Sequence, residues 1–325
     1  MSTRAAVFCN NALGDGIVSL TLSHNLSLNG WQVDTYQNSL PPLQSWVPHL
    51  PILKYPPASA GPALLDQYDW FFIFQDDSSP LLRTLIEEGK RRFPDRVRVL
   101  YAIPSRHVVR ERYYADAELN PQIPLAKSLQ LFCARKLHLP YTALSNGFTP
   151  PADLIYRRHP RRVILHPTSG NPNKNWPKER YVKLALHLQR LGYEPIIVVG
   201  NQREGWDTIQ EFATLDDLAR YFYESGYFIG NDSGLGHIAS SLGIPTVTIA
   251  RRRTAAKLWA PSFAPGSIVA PPDWIPNIRG FRLRDRKWSW FVPLHSVTRA
   301  FDRLVATWQI SQPNFGSSPQ TAHRT

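Results

Sequence analysis

Short apolar runs recur along this chain, each followed by a stretch of helical spacing, and the whole alternation occurs twice. In the first half, strands are expected at 5–8 (AAVF), 31–36, 70–74 (WFFIF) and 97–101 (VRVLY), with helices at 17–28 and 80–91. A run such as WFFIF has no polar alternation, so both of its faces must be buried, as in the strands of a parallel sheet. Helices between such strands are the crossovers that parallel pairing requires. The pattern restarts with strands at 162–166, 194–199, 227–230 and 246–250, and helices at 177–191, 215–224 and 235–242. Val297, Phe301, Leu304, Val305 and Trp308 then recur at helical spacing. The fold class is therefore α/β, with two Rossmann-like domains facing across a cleft.

The break between them falls at Pro150-Pro151, which opens a polar, basic stretch through Arg162. Proline-rich segments make stiff spacers. The expected division is 1–150 and 151–310, with 311–325 a disordered tail; 325 residues suffice for two cores. The opening AAVF is cut short by Cys9-Asn10-Asn11 and Asp15, so no leader is expected there. The uncharged stretch from Ser233 to Ala250 carries serines, a histidine, glycines and a proline, and reads as loop, helix and strand rather than a bilayer span. Cys9 and Cys133 alone make no disulfide framework, and the plain expectation is a reducing cytoplasm.

The charge is lopsided. Residues 1–150 hold 14 basic and 12 acidic residues, and residues 151–325 hold 23 and 13, so nearly all of the net +12 lies in the second half. An anionic partner is drawn there: a phosphorylated metabolite, an anionic lipid surface or nucleic acid.

Three segments could carry chemistry. The first is NNALGDGIV (10–18), expected as a tight glycine turn between the first strand and its helix, at the sheet edge where such folds bind ligands. Asp15, between Gly14 and Gly16, either accepts a proton from a bound hydroxyl or caps the helix. No third glycine follows, so this is not the dinucleotide fingerprint. The second is HPTSGNPNKNWPKERY (166–181), which places Lys174 beside hydroxyl and amide side chains. It is either a cradle for phosphate oxygens or a solvated loop. Pro177 is expected at the first helical position, with Glu179 in the first turn. The third is GNDSGLGHIASSLGIPTV (230–247), in which a strand turns through Asp232, Ser233 and Gly234 into a small-residue helix carrying His237. Backbone N–H groups there can hold a phosphate; alternatively His237 is a packed histidine.

Other features argue for less. Asp76-Asp77 are adjacent, so their carboxylates point to different faces. No Asp-x-Asp pair occurs, and the ten histidines do not cluster, so a metal site is not supported. Arg251-Arg252-Arg253 and the run from Arg279 to Lys287 read as solvated faces or as contacts with a diphosphate or phosphorylated lipid. Trp288, Trp290 and Phe291 serve either a core or hinge, or a membrane interface.

Together, in this order and spacing, the three segments resemble glycosyltransferase family 9, the ADP-heptose:lipopolysaccharide heptosyltransferases, over about residues 4 to 308. The resemblance implies the GT-B fold, with an N-terminal domain taking the acceptor and a C-terminal domain binding the nucleotide sugar. It implies inversion at the anomeric carbon without a metal or other cofactor. Asp15 matches the family's general base. Thr168, Ser169 and Lys174 match its hydroxyl pair and phosphate-binding lysine. Asp232, Ser233, Gly234 and His237 match the turn that holds the diphosphate, and Glu204 corresponds to a nucleotide-contacting acidic residue. Two positions depart from the pattern. Cys9-Asn10-Asn11 stands where many members carry a cation, and Arg251-Arg252 replaces a Gly-Pro.

The expected activity is transfer of a heptose, or a related sugar, from ADP-heptose to a lipopolysaccharide core or similar glycolipid. The site would be cytoplasmic, with peripheral contact at the inner membrane. A non-catalytic nucleotide- or glycolipid-binding relative is the alternative that the altered first loop suggests. Nucleic acid is not an expected partner, because no recognition motif accompanies the charge.

Overall fold

Strand β1 (Arg4–Phe8) buries its last four residues completely, alternate side chains serving opposite faces of the first sheet. The computed structural model describes residues 2–74, 79–102, 119–199, 206, 209–277 and 282–311. After β1 come α1 (Leu13–Leu28), β2 (Gln32–Tyr36), β3 (Ile52–Leu53), α2 (Gly61–Leu64), β4 (Trp70–Phe74), α3 (Pro80–Arg92), β5 (Val97–Leu100) and α4 (Leu125–Arg135). All pairings are parallel, in the order β3-β2-β1-β4-β5. One face, with Ala6, Phe8, Phe71 and Ile73, packs on Leu81, Leu82 and Leu85 of α3. The other, with Ala5, Val7 and Phe72, packs on α1 and α4.

The second lobe repeats the plan with β6 (His159–His166), α5 (Lys178–Arg190), β7 (Glu194–Ile197), α6 (Leu215–Tyr223), β8 (Ser225–Asn231), α7 (Gly234–Ser241), β9 (Thr246–Ile249), α8 (Arg253–Leu258), β10 (Gly266–Val269), α9 (Leu283–Arg286) and α10 (Leu294–Ser311). The order is β10-β9-β8-β6-β7, again parallel. Val163, Leu165, Ile229 and Val247 face α5 and α10; Ile164 and Phe228 face α6 and α7. Helix α6 starts where it does because Thr214 and Asp217 form a reciprocal capping box, worth about 1 kcal/mol.

In a parallel sheet, the connections diverge where strand order reverses, and the crevice lies beyond the strands' carboxyl ends at that point. The reversals fall between β1 and β4 in the first sheet and between β6 and β8 in the second. The loops leaving β1, β6 and β8 contain the three segments singled out above.

The lobes are in contact. Helices α1, α6 and α7 contribute Ile17, Leu20, Phe222, Ile238 and Leu242 to one apolar cluster. Ser45 Oγ and Trp46 Nε1 donate to Asp216 at 2.6 and 2.9 Å, and Asn146 Nδ2 donates to Ser241 Oγ at 2.8 Å.

Several expectations are corrected. Helix α1 begins at Leu13, a turn earlier than expected, so Gly14-Asp15-Gly16 is helix rather than a tight turn. Two glycines and an uncapped start at Ala12 mask that helical turn in the sequence. Pro177 is the N-cap of α5 and Lys178 its first residue. Strand β6 reaches back to His159 across a register shift, so the stretch expected to link the domains ends before Arg162. The two-residue β3 is too short to stand out by pattern, β10 (GSIV) opens on a glycine and a serine rather than an apolar run, and α4 and α8 were not expected. Asp76-Asp77 and the tail beyond Ser311 lie outside the described residues.

Candidate functional site

On the second lobe, Asn231, the last residue of β8, ties together the edge of the sheet. Its Nδ2 donates to the Pro167 carbonyl at 2.6 Å, and its Oδ1 accepts the Trp176 N–H at 3.0 Å. The Tyr181 hydroxyl lies 3.1 Å from the same Oδ1 and 3.2 Å from the His166 carbonyl, and its one proton serves either. Ser169 Oγ lies 2.8 Å from both the Asn171 carbonyl and Asn175 Oδ1. Thr168 and Ser169 are both buried within this loop. Trp176 is buried against Tyr181 and donates its indole N–H to the Val292 carbonyl at 2.8 Å. This network sets the backbone between β6 and α5.

Lys174 ends the short 3-10 turn Pro172–Lys174, and its Nζ lies 3.1 Å from Asp232 Oδ2. The pair is partly exposed, with Lys174 the more accessible partner. Directly after Asp232, Ser233 holds the N-cap of α7 in extended conformation (φ −156°). Its Oγ is buried, makes no cap and has no hydrogen-bond partner among the described residues. His237, one turn into α7, is likewise buried with Nδ1 unpartnered. Burial pushes its pKa down to about 4, against the pull of Asp232, so the ring is neutral at pH 7. A cationic lysine, the positive end of a helix and two unpaired buried polar atoms thus gather at one edge of the lobe. An anion with several oxygens could satisfy them together.

Across the seam stands the first turn of α1. A Cβ placed on Gly14 would come within 2.9 Å of His237 Cδ2, and one on Gly234 within 3.0 Å of Gly14 N and Leu13 Cβ. Only two glycines allow the helix starts to approach so closely. Asp15 follows Gly14 in the same turn, half-buried, where a carboxylate is favoured by the helix dipole. It is near enough to Cys9 to oppose that thiol's ionisation; burial is the larger effect, and the Cys9 pKa is pushed up to about 12. Cys9 is therefore no nucleophile. Gln37, fully buried, pins the loop before Asp15. Its Nε2 lies 3.1, 3.0 and 3.4 Å from the carbonyls of Asn10, Asn11 and Ala12, and its Oε1 accepts the Ser39 and Leu40 N–H groups. Beside Asn10 is a cavity of about 160 Å³, lined by Phe74, Leu100, Tyr101 and Leu119 of one lobe and Trp259 of the other.

Residues 94–262 match the model of glycosyltransferase family 9 (heptosyltransferase), more than half of the chain. The chain belongs to glycosyltransferase family 9. It is similar in fold to ADP-heptose lipopolysaccharide heptosyltransferase II of E. coli (TM-score 0.67, 16% identity, 94% of this chain and 100% of that one). It also resembles the E. coli heptosyltransferase WaaC solved with ADP (TM-score 0.64, 13% identity, 93% and 100%). A family 9 glycosyltransferase from Veillonella parvula is similar too (TM-score 0.64, 16% identity, 94% and 98%). No curated protein matches by sequence. Family 9 membership makes the chain a glycosyltransferase, and its two parallel sheets are those of the GT-B architecture.

For this family 9 member, Thr168, Ser169, Lys174, Asp232, Ser233, Gly234 and His237 gather on one edge, opposite Gly14, Asp15 and Gly16. Glu204 lies outside the described residues. Sequence reasoning missed Asn231, Trp176, Tyr181 and Gln37, which hold the loops. Asn231 directly precedes the Asp-Ser-Gly turn, and a buried amide at a strand end was the available signal. Gln37 carried none, since its three carbonyl partners lie some 25 residues away. Among the described residues, no group of three or more His, Cys, Asp or Glu gathers as a metal would need, and no helix is long and apolar enough to cross a membrane.

Proposed function

We propose that this glycosyltransferase moves a heptose from ADP-heptose to a lipopolysaccharide core or similar glycolipid, with inversion. The observation that carries the reading is the direct contact of the two helix starts. The Asp15-bearing turn of one lobe meets the Lys174, Ser233 and His237 cluster of the other. On this reading residues 1–150 take the acceptor and residues 151–310 the donor. The related structures named for ADP and for ADP-heptose lipopolysaccharide heptosyltransferase activity support the donor class. Both cysteines are free and buried, as suits a reducing compartment.

In the reaction, the Asp15 carboxylate takes the proton of an acceptor hydroxyl as its oxygen attacks the anomeric carbon. The bond from that carbon to the diphosphate oxygen breaks on the opposite face, and its electron pair leaves with ADP. The anomeric carbon carries positive character at the transition state while negative charge grows on the diphosphate. Lys174 and the first N–H groups of α7 meet that growing charge, and preorganised donors there stabilise the transition state more than the ground state. Asp232 holds Lys174 in place, and the neutral His237 leaves Nδ1 free to bond the ligand without adding charge.

The test is a donor screen followed by substitution. Asp15→Asn is expected to retain ADP binding by calorimetry and to lose at least ~10²-fold in turnover. Wild-type turnover in that variant would remove Asp15 as the base, and product with retained anomeric configuration would overturn inversion. Lys174→Ala is expected to weaken ADP binding about tenfold or more, and unchanged affinity would contradict its role.

A further inference from the structure

Residues 251–303 contain eleven Lys and Arg against three Asp and no Glu, a net +8 within a chain of +12. Three of these cations form ion pairs among the described residues. Arg252 pairs with the buried Asp285, while Arg253 and Arg284 share Asp273 at 3.9 and 3.2 Å. Arg299 and Arg303 stand one turn apart on α10, exposed, with no ion pair among the described residues. With Arg253, Pro272 and Phe291 they line a groove of about 740 Å³ beside β10, whose outer edge no strand pairs. None of its lining residues belongs to the Lys174 cluster.

Two tryptophans stand in water on the same surface. Trp274 is 79% exposed and adjoins Asp273, the carboxylate that holds Arg253 and Arg284. Trp290 is 64% exposed, adjoins the groove-lining Phe291, and has Lys287 Nζ 4.8 Å from its ring centre. Its neighbour Trp288 shows what packing would look like: it is buried and donates its indole N–H to the Asn173 carbonyl at 3.1 Å. One turn thus sends one indole inward onto the 171–176 loop and the other outward beside Lys287.

Exposed indoles beside a groove lined by arginines, two of them without an ion pair among the described residues, match an anionic bilayer surface, where indoles settle at headgroup depth and guanidinium groups pair with lipid phosphates. We propose that the surface formed by Trp274, Trp290, Arg253, Arg299 and Arg303 docks the second lobe onto a membrane bearing anionic lipids. Docking there sets the Trp288–Phe291 turn, and the 171–176 loop it packs on, close to the bilayer. A lipid-anchored substrate would then meet the cleft without leaving the membrane. The inference rests on surface chemistry and stands apart from the identity of the donor.

The test is co-sedimentation of the full chain with vesicles of phosphatidylcholine, alone and with about a third of phosphatidylglycerol. Binding is expected only to the anionic vesicles and is lost as salt screens the charge. Arg299→Gln with Arg303→Gln is expected to weaken it about fivefold per arginine. Trp274→Ala with Trp290→Ala is expected to weaken it at least as much. Arg135→Ala with Lys136→Ala removes the same charge from an exposed site on the other lobe, and should bind as wild type. The proposal is overturned if the wild type ignores anionic vesicles or if the other-lobe variant loses as much. It is also overturned if the tryptophan pair instead abolishes self-association measured without vesicles, or if an oligonucleotide binds as tightly and indifferently to the tryptophans.

Discussion

The loop after β1 and the loop after β6 hold equivalent places in their sheets, yet they are built differently. The β6 loop is fixed by many side chains: Asn231, Tyr181, Ser169, Asn175 and Trp176 bond one another or the backbone. The β1 loop is fixed mostly through its backbone carbonyls, by the amide of Gln37 with Tyr55 and Ser39, and by Asn38 on the Asn11 side chain, and its helix begins without a capping side chain. A lobe that holds a charged ligand needs its donors rigid beforehand, because reorganising dipoles at the moment of reaction costs rate. On the proposed reading, the lobe that offers Asp15 to an acceptor needs only that carboxylate placed.

The comparison can be broken most directly at Asn231. Asn231→Ala leaves the buried Trp176 N–H and the Pro167 carbonyl without that partner, while the Tyr181 hydroxyl keeps the His166 carbonyl, so urea unfolding should lose about 3 kcal/mol and ADP binding should fail with it. Stability loss with intact ADP binding would show that the network is not what presets the donor loop. Acid should act next, and most strongly on the second lobe, because the first lobe's His24, though its pKa is also lowered to about 4 by burial and by His49, is only partly buried. His166 and His237 are buried and held neutral, each with its pKa lowered to about 4. Unfolded chains bind the proton near 6.5 while the folded chain refuses it until about 4. The stability these rings confer is therefore whole above 6.5 and lost as pH falls through that interval. At pH 5 the loss is about 2 kcal/mol for each ring, read as a drop in urea midpoint that His237→Gln should reduce. Gln37→Ala should cost a similar 1–3 kcal/mol but lower turnover while sparing ADP affinity. Equal loss of ADP affinity in that variant would erase the division of labour between the loops. The smallest effect belongs to the seam. Burial alone would raise the Asp216 pKa, but hydrogen bonds from Ser45, Arg220 and Trp46 outweigh it and hold the carboxyl below its usual range. Asp216→Asn should cost about 1 kcal/mol at neutral pH, and nothing once acid has protonated the wild-type carboxyl.

The same contrast explains what could be read in advance. In the second lobe the ligand-side residues are polar types at fixed offsets, so 166–181 and 230–247 stood out, and the matched region 94–262 lies largely there. In the first lobe, Gly14-Asp15-Gly16 looked like a turn, because glycines lower helical propensity and the packing that makes them helical comes from His237 and Gly234, over two hundred residues away. The parallel strands were legible wherever WFFIF-like runs are buried on both faces. The two-residue β3 and the edge strand β10, whose GSIV holds no continuous apolar run, were not, since their pairing comes from neighbours rather than from their own pattern. Gln37 and Asn231 show the limit most plainly: a buried amide is identified by its partners, and those are set by topology.

The bare backbones of Gly14 and Gly234 act as a mechanical stop between the jaws of the enzyme. Any chiral residue at either position thickens the stop by a methyl group and holds the jaws that much further apart. The span from Asp15 to Lys174 is therefore calibrated by two hydrogens, and neither glycine position leaves room for a side chain.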